Sequence, residues 1–330
     1  MDSDWSGGVR LFSDEIPAVK VREDPFSMFP LSEYQAQMKT TERGMWVSGT
    51  HGTVTQVVWI SRPGTLLVST LDGSILQLTQ NFLDEGMPVA APEPKAAPTA
   101  KSAAKDAPAK KPTFSKVLYR QTDALEHMKS LENPNGVPYL VSSTASGNLL
   151  VLDMAAGRTS PLVSKRASYN ACSALSTSNT TIAASFHDNT VHLFDSQLAI
   201  KLKISGLPME DPTITSIAQS QSNGNLLAVG TLDEQLILID VRNASTPVST
   251  MAIGGAIRSA KFSESDALLA TAGDSGHVQL WDVSKPMEAP LYEFKHADRA
   301  TGVHWNPESP GEFVSVAFDG LIVKHHVPKM

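Results

Sequence analysis

The chain has 330 residues, 41% of them hydrophobic and 18% charged, with a mean hydropathy of −0.12. That is the balance of an ordinary globular protein with material for one large core or two medium ones. A single cysteine, Cys172, excludes an internal disulfide and any cysteine-based zinc cluster, and makes cytoplasm and nucleus the expected compartments. No apolar run approaches the roughly 20 residues of a membrane-spanning helix. The opening residues do not follow a signal-peptide pattern, so no membrane partner is expected.

Net charge is −7, yet residues 89–112 hold five lysines against Glu93 and Asp106. The remainder therefore carries about −10. An acidic body disfavours a DNA-binding face; it either suits partners with basic surfaces or tails, or serves solubility alone.

In chain order, Ser6–Phe12 reads as one apolar strand and residues 13–46 as an irregular segment. Val54–Ile60 is a strand, and Leu66–Leu78 is a pair of strands meeting at Asp72-Gly73. Residues 82–115 are low-complexity Ala/Pro/Lys without an aromatic residue. They cannot bury enough apolar surface to offset ordering entropy and are expected to be a disordered insertion. Lacking aromatic interleaving, such a stretch binds nucleic acid only non-specifically.

The strand pair then recurs as Tyr139–Asp153, Thr181–Asp195, Leu226–Asp240 and Leu268–Asp282, with a final degenerate copy at Phe313–His325. The four closing aspartates are spaced by 42, 45 and 42 residues. Each copy follows a further strand, as at Thr301–Pro307. The dipeptides Asp72-Gly73, Ser146-Gly147, Asp188-Asn189, Ser275-Gly276 and Asp319-Gly320 suit tight hairpins that need positive φ.

This repeat resembles the WD-repeat family across roughly residues 45–328, with only Trp281-Asp282 keeping the family dipeptide intact and His296 or His51 nearest to its Gly-His. The resemblance implies an all-β, seven-bladed β-propeller with six clear blades and a first blade incomplete at the N-terminus. Residues 1–81 would hold the partial first blade and the second, and 116–330 blades three to seven. An incomplete blade leaves open strand edges. Strands from 13–46, a covering partner, or a native start upstream of Met1 would each resolve that; the last is preferred.

Catalytic signatures are absent: no phosphate-binding G-x-x-x-x-G-K-[ST], no G-x-S-x-G elbow, no H-E-x-x-H and no calcium loop. His325 and His326 are neighbours on a strand and point to opposite faces, so they cannot share a metal. His187, His192 and His277 sit at or after hairpin turns and read as solvent-facing or turn residues. Asp153, Asp195, Asp240 and Asp282 lie whole repeats apart, which suits turn stabilisation rather than acid–base work. Cys172, flanked by small residues, reads as an unreactive buried strand position. The chain is accordingly expected to be no enzyme and to hold no cofactor or metal.

Three segments are more specific. Trp5–Phe12, Gly52–Gly73 and His296–Pro328, with its His-His-Val-Pro ending, are similar to the methylosome WD-repeat subunits. That similarity implies a scaffold and substrate adaptor that binds a type II protein arginine methyltransferase. Histones and splicing-factor proteins would be the substrates it helps present for symmetric arginine dimethylation. By motif match, Trp5, with Asp4 and Ser6 beside it, would be the partner-binding residue. This chain departs from those subunits in its short start, its 82–115 insertion and the lack of a basic residue before Trp5. A scaffold of another assembly (nuclear pore, trafficking or ciliary) is the alternative.

Overall fold

The computed structural model describes residues 9–12, 44–47, 54–60, 65–78, 116–132, 138–154, 160–178, 181–207, 213–222, 224–285, 289–307 and 309–327. All regular structure in them is β, apart from a single 3₁₀ turn at Val241–Asn243. No helix among these residues is long and apolar enough to cross a membrane. The insertion expected at 82–115 lies outside the described residues.

Six sheets follow the chain as up-and-down meanders. Strands β3 (Val54–Ile60), β4 (Thr65–Thr70), β5 (Ser74–Leu78) and β6 (Lys116–Arg120) make blade two. Blade three is β7 (Leu125–Glu132), β8 (Pro138–Thr144), β9 (Asn148–Asp153) and β10 (Val163–Arg166). Blade four is β11 (Cys172–Ser178), β12 (Thr181–Phe186), β13 (Val191–Asp195) and β14 (Ile200–Ile204). Blade five is β15 (Ile214–Gln219), β16 (Leu226–Thr231), β17 (Gln235–Asp240) and β18 (Ser249–Ala252). Blade six is β19 (Ile257–Phe262), β20 (Leu268–Gly273), β21 (His277–Asp282) and β22 (Tyr292–Lys295). Blade seven has three described strands, β23 (Ala300–Trp305), β24 (Glu312–Ala317) and β25 (Ile322–His326). Near the N-terminus, β1 (Val9–Phe12) pairs antiparallel with β2 (Gly44–Val47), Val9 opposite Val47. The end of the segment read as irregular thus supplies a strand.

The first strand of each meander packs against the first strand of the next, from β3 through β7, β11, β15 and β19 to β23. These are the inner strands of a propeller. Each contains a register shift between its first and third residues: Val54/Gln56, Leu125/His127, Cys172/Ala174, Ile214/Ser216, Ile257/Ser259 and Ala300/Gly302. A bulge recurring at one level sharpens the local twist of every blade where it leaves the turn. Side chains then tie blade to blade. Gln56 Oε1 accepts from Met128 N–H at 2.7 Å, and Thr177 Oγ1 donates to Ser130 O at 2.7 Å. Trp305 Nε1 donates to Lys261 O at 3.0 Å, and Val303 N–H to Ser259 Oγ at 3.3 Å.

The core lies between blades. Five buried clusters each straddle two successive blades, as where Leu149 and Val151 of blade three meet Ile182, Phe186 and Phe194 of blade four. The second and third strands of a blade are therefore covered on both faces, which is why β16 and β20 read as unbroken small and apolar runs. Outer strands are covered on one face only, and β18 and β22 alternate half-buried with exposed residues. Cys172 is buried, donates to Ala174 O, and has its thiol pushed up to about 12 by burial, the unreactive environment its small flanking residues indicate.

The closing aspartates cap turns. Asp195 Oδ1 accepts from the N–H of Gln197 and Ala199, both at 2.9 Å. Asp240 Oδ1 accepts from Arg242 N–H at 3.0 Å, and Asp282 Oδ1 from Ser284 N–H at 2.9 Å.

The hairpin between second and third strands uses one geometry throughout: a tight turn followed by a left-handed residue. That residue is Gly73, Gly147, Gly276 or Gly320 at φ 79–81°, and Asn189 at 62°. In blade five it is Glu234 at φ 69°, exposed and ill suited to that region. Replacing Glu234 by Gly should stabilise the protein by about 0.5–1 kcal/mol. A urea midpoint that stays put or falls would refute this reading of the turn.

Candidate functional site

All six turns fall on one face. There they lock to the connections between blades. Leu232 N–H donates to Thr213 O, Asp274 N–H to Ala256 O and Phe318 N–H to Arg299 O, each at 2.9 Å. A Cβ on Gly73 or Gly147 would strike the backbone of the next connection, and on Gly276 it would lie 2.8 Å from His296 O. Glycine here permits close approach as well as the left-handed turn.

The residue that opens each turn points outward: Leu71, Ala145, His187, Leu232, Asp274 and Phe318. Phe318 is 66% exposed, and the guanidinium of Arg299 lies 5.1 Å from its ring centroid. Nearby, Arg258 forms a two-pronged bond with Asp274, Nε to Oδ1 at 2.7 Å and Nη2 to Oδ2 at 2.5 Å. That bond to Arg258 holds the Asp274 carboxyl below its usual range. Around the rim, Tyr169 is 87% exposed with Arg166 4.8 Å from its ring centroid. Aromatic and arginine side chains on a rigid rim are the residue types enriched at protein–protein interfaces.

Beneath Phe318 runs a buried hydrogen-bond relay. His296 Nδ1 lies 2.9 Å from Asp319 Oδ2, and its Nε2 2.8 Å from Ser315 Oγ. Ser315 Oγ lies 2.7 Å from His325 Nε2, whose Nδ1 is 3.1 Å from Tyr292 OH. One ordering satisfies every member. Tyr292 donates to His325, His325 to Ser315, Ser315 to His296, and His296 to Asp319. Ala297 N–H also donates to Asp319 Oδ2 at 3.1 Å, and Leu321 N–H to Oδ1 at 2.9 Å. The relay thus pins the Phe318 turn to the Arg299 connection. Burial first, then nearby His296 and His326, push His325 down to about 4. Blade six places Trp281 and Thr271 at the same register as His325 and Ser315, with Trp281 Nε1 donating to Thr271 Oγ1 at 3.0 Å.

His325 is buried and His326 exposed, as their alternation on β25 requires. His192 corrects the reading of a solvent-facing residue. It lies 5% exposed between Phe186 and Phe194, bonded to Thr190 Oγ1 at 3.1 Å. The cause is that β13 is a third strand, covered on both faces. Asp4, Trp5, Ser6 and His51 lie outside the described residues, so the structure places none of them on this face. Among the described residues no group of three or more His, Cys, Asp or Glu is arranged to hold a metal.

Meander blades, inner strands in a ring and hairpin turns on one face define a WD-repeat β-propeller. Residues 129–309 match the family model of the nucleolar protein 10-like N-terminal domain, a β-propeller, and the chain belongs to that family. A 152-residue stretch, 44% of the chain, is 30% identical to the histone-binding protein MSI1 of Saccharomyces cerevisiae, spanning 35% of that protein. Among solved structures, a chain of the mitotic checkpoint complex superposes with a TM-score of 0.61 at 15% identity, over 84% of this chain and 78% of that one. A computationally designed protein superposes with a TM-score of 0.58 at 16% identity, over 85% and 74%. Identities this low show the shared fold alone. Propellers of this type are generally non-enzymatic scaffolds for protein interactions.

Proposed function

We propose that this chain is a non-catalytic scaffold that docks a protein partner on the turn face of blades five to seven. Phe318, held under Arg299, carries the reading: a large exposed aromatic on a hydrogen-bonded turn and stacked with an arginine is the kind of rigid side chain that anchors interfaces. Leu232 and the Arg258–Asp274 pair flank it with apolar and charged contacts.

The finer reading is a substrate adaptor that binds a type II protein arginine methyltransferase and presents histones and splicing-factor proteins. It is supported by the similarity of Gly52–Gly73 and His296–Pro328 to the methylosome subunits, by the relative named for histone binding, and by the acidic body. Phe318→Ala should weaken partner binding by about 2 kcal/mol or more, roughly 30-fold in Kd. The purified full chain would be titrated with core histones and, separately, with a type II arginine methyltransferase. Because Phe318 is exposed, its melting temperature should hardly move. Undiminished binding by the variant would remove Phe318 from the site. Failure of the wild-type chain to bind either protein would leave a scaffold of another assembly (nuclear pore, trafficking or ciliary).

A further inference from the structure

The face opposite the hairpin turns carries a cavity of about 410 Å³ between blades four and five. It lies where the first strand of each blade turns into the second. Its volume is within the range of roughly 300–1,000 Å³ usual for ligand pockets.

One position of the repeat accounts for it. Gln219, Phe262 and Trp305 each end an inner strand, opposite the second residue of the next strand, Leu227, Leu269 and Phe313. A side chain here reaches across the seam to the preceding blade, as Trp305 does in donating to Lys261 O. Phe262 fills the seam between blades five and six, and Trp305 packs into that between six and seven. Blade five carries a glutamine instead, slimmer than either ring, and its seam with blade four stays open. Gln219 Nε2 donates to Thr181 Oγ1 at 2.6 Å and to Gly224 O at 3.4 Å. Both residues line the cavity, so the amide head forms part of its wall. Gln219 is 2% exposed, and its Oε1 is buried without a donor among the described residues. A buried amide oxygen left unmet is costly, and an N–H from a ligand would relieve it.

Lys201 supplies a charge. The register of β13 and β14 jumps from Leu193–Leu202 to Phe194–Ile200, which makes Lys201 the extra residue of a bulge. On a regular strand Lys201 and Leu202 would point to opposite faces; here both line the cavity. Lys201 is exposed and makes no ion pair among the described residues. None of the described residues that line the cavity is acidic, and Leu193, Leu202 and Val241 give it an apolar side.

We infer that this cavity docks an acidic peptide segment, with a glutamate carboxylate on Lys201 and a main-chain N–H on Gln219 Oε1. One glutamate residue of an extended chain offers the donor, the anion and the intervening methylenes that the three parts of the wall need. A partner seated here leaves the turn face free, so the propeller can hold two proteins at once.

The test is a fluorescence-polarisation titration of the full chain with a labelled, capped hexapeptide that alternates glutamate and leucine. Saturable binding is expected, at least ~10-fold tighter than that of the same peptide with glutamine for glutamate. Lys201→Glu, an exposed change, should weaken it at least ~10-fold. Lys203→Glu, two residues on and outside the cavity wall, should change it by less than about threefold. Gln219→Phe, which supplies the ring that fills the next seam, should abolish binding without lowering the melting temperature. Lys201→Glu carries the test should that variant fail to fold. Phe318→Ala should bind the peptide as the wild type does, which separates this site from the turn face. No saturable binding, equal binding of the two peptides, or equal losses from the two lysine variants would overturn the proposal. N-acetylglutamate binding as tightly as the peptide would overturn it too, by assigning the cavity to a small carboxylate.

Discussion

Replacing Asp319 by alanine should destabilise the protein by about 3–5 kcal/mol. Asp319 and His296 are 2% and 0% exposed at their side chains, so their bond cannot be exchanged for one to water. The substitution removes the acceptor of three donors, His296 Nδ1–H, Ala297 N–H and Leu321 N–H, of which the His296 donor is buried and cannot turn to water. It also frees the turn that carries Phe318 from the connection that carries Arg299. Urea unfolding should show a large fall in midpoint with little change in slope. Asp298→Ala, an exposed neighbour on the same connection, should stay within about 0.5 kcal/mol. If the two variants cost the same, the relay does not hold this corner of the propeller. Because the turn is loosened, Asp319→Ala should also lose partner binding though it touches no partner itself.

The second and third strands of each blade were legible in the sequence because both their faces are buried. Leu226–Asp240 and Leu268–Asp282 are nearly continuous small and apolar runs interrupted by one turn, and a turn with positive φ advertises itself through glycine or asparagine. Outer strands such as β10, with Val163-Ser-Lys-Arg166, were not singled out. They are short, charged and packed on one face, so neither an apolar run nor a long alternation marks them. Glu234 hid a sixth left-handed turn for a related reason: the repeat imposes the backbone there against the residue's own preference.

The site was harder to read than the fold. His296 could be aligned with the repeat's histidine, but its partners Ser315, Asp319 and His325 lie on separate strands and turns that only register brings together. A usable signal existed in the alignment of His325 with Trp281, which marks His325 as a buried ring rather than half of an exposed pair. Phe318 offered a plainer one, since an aromatic residue inside an Asp-Gly hairpin has no strand face on which to hide.

Acid should destabilise the propeller in a window set by its buried imidazoles. Burial first, then Lys129 and other neighbours, lowers His127 from 6.5 to about 4, and burial does the same for His325. Below pH 6.5 the unfolded chain takes up protons that the folded chain refuses. Stability is therefore intact above about 6.5, falls as pH drops towards about 4, and has lost the whole contribution below that. Each such histidine adds a slope of about 1.4 kcal/mol per pH unit inside the window. Lys129 adds none there, because below about 7 it is protonated in both states. The lowered carboxylates Asp72, Asp123, Asp188, Asp266 and Asp274 act at lower pH, since their contribution is lost only below the ordinary value of 3.8. Urea unfolding at pH 7, 5.5 and 4.5 should show midpoints falling in step. His325→Gln, whose amide can still donate to Ser315, should remove about one proton from that slope while costing some stability at pH 7. A slope identical in wild type and variant would mean that His325 is protonated in the fold, and that the relay runs in the opposite sense, from His325 outward to Tyr292.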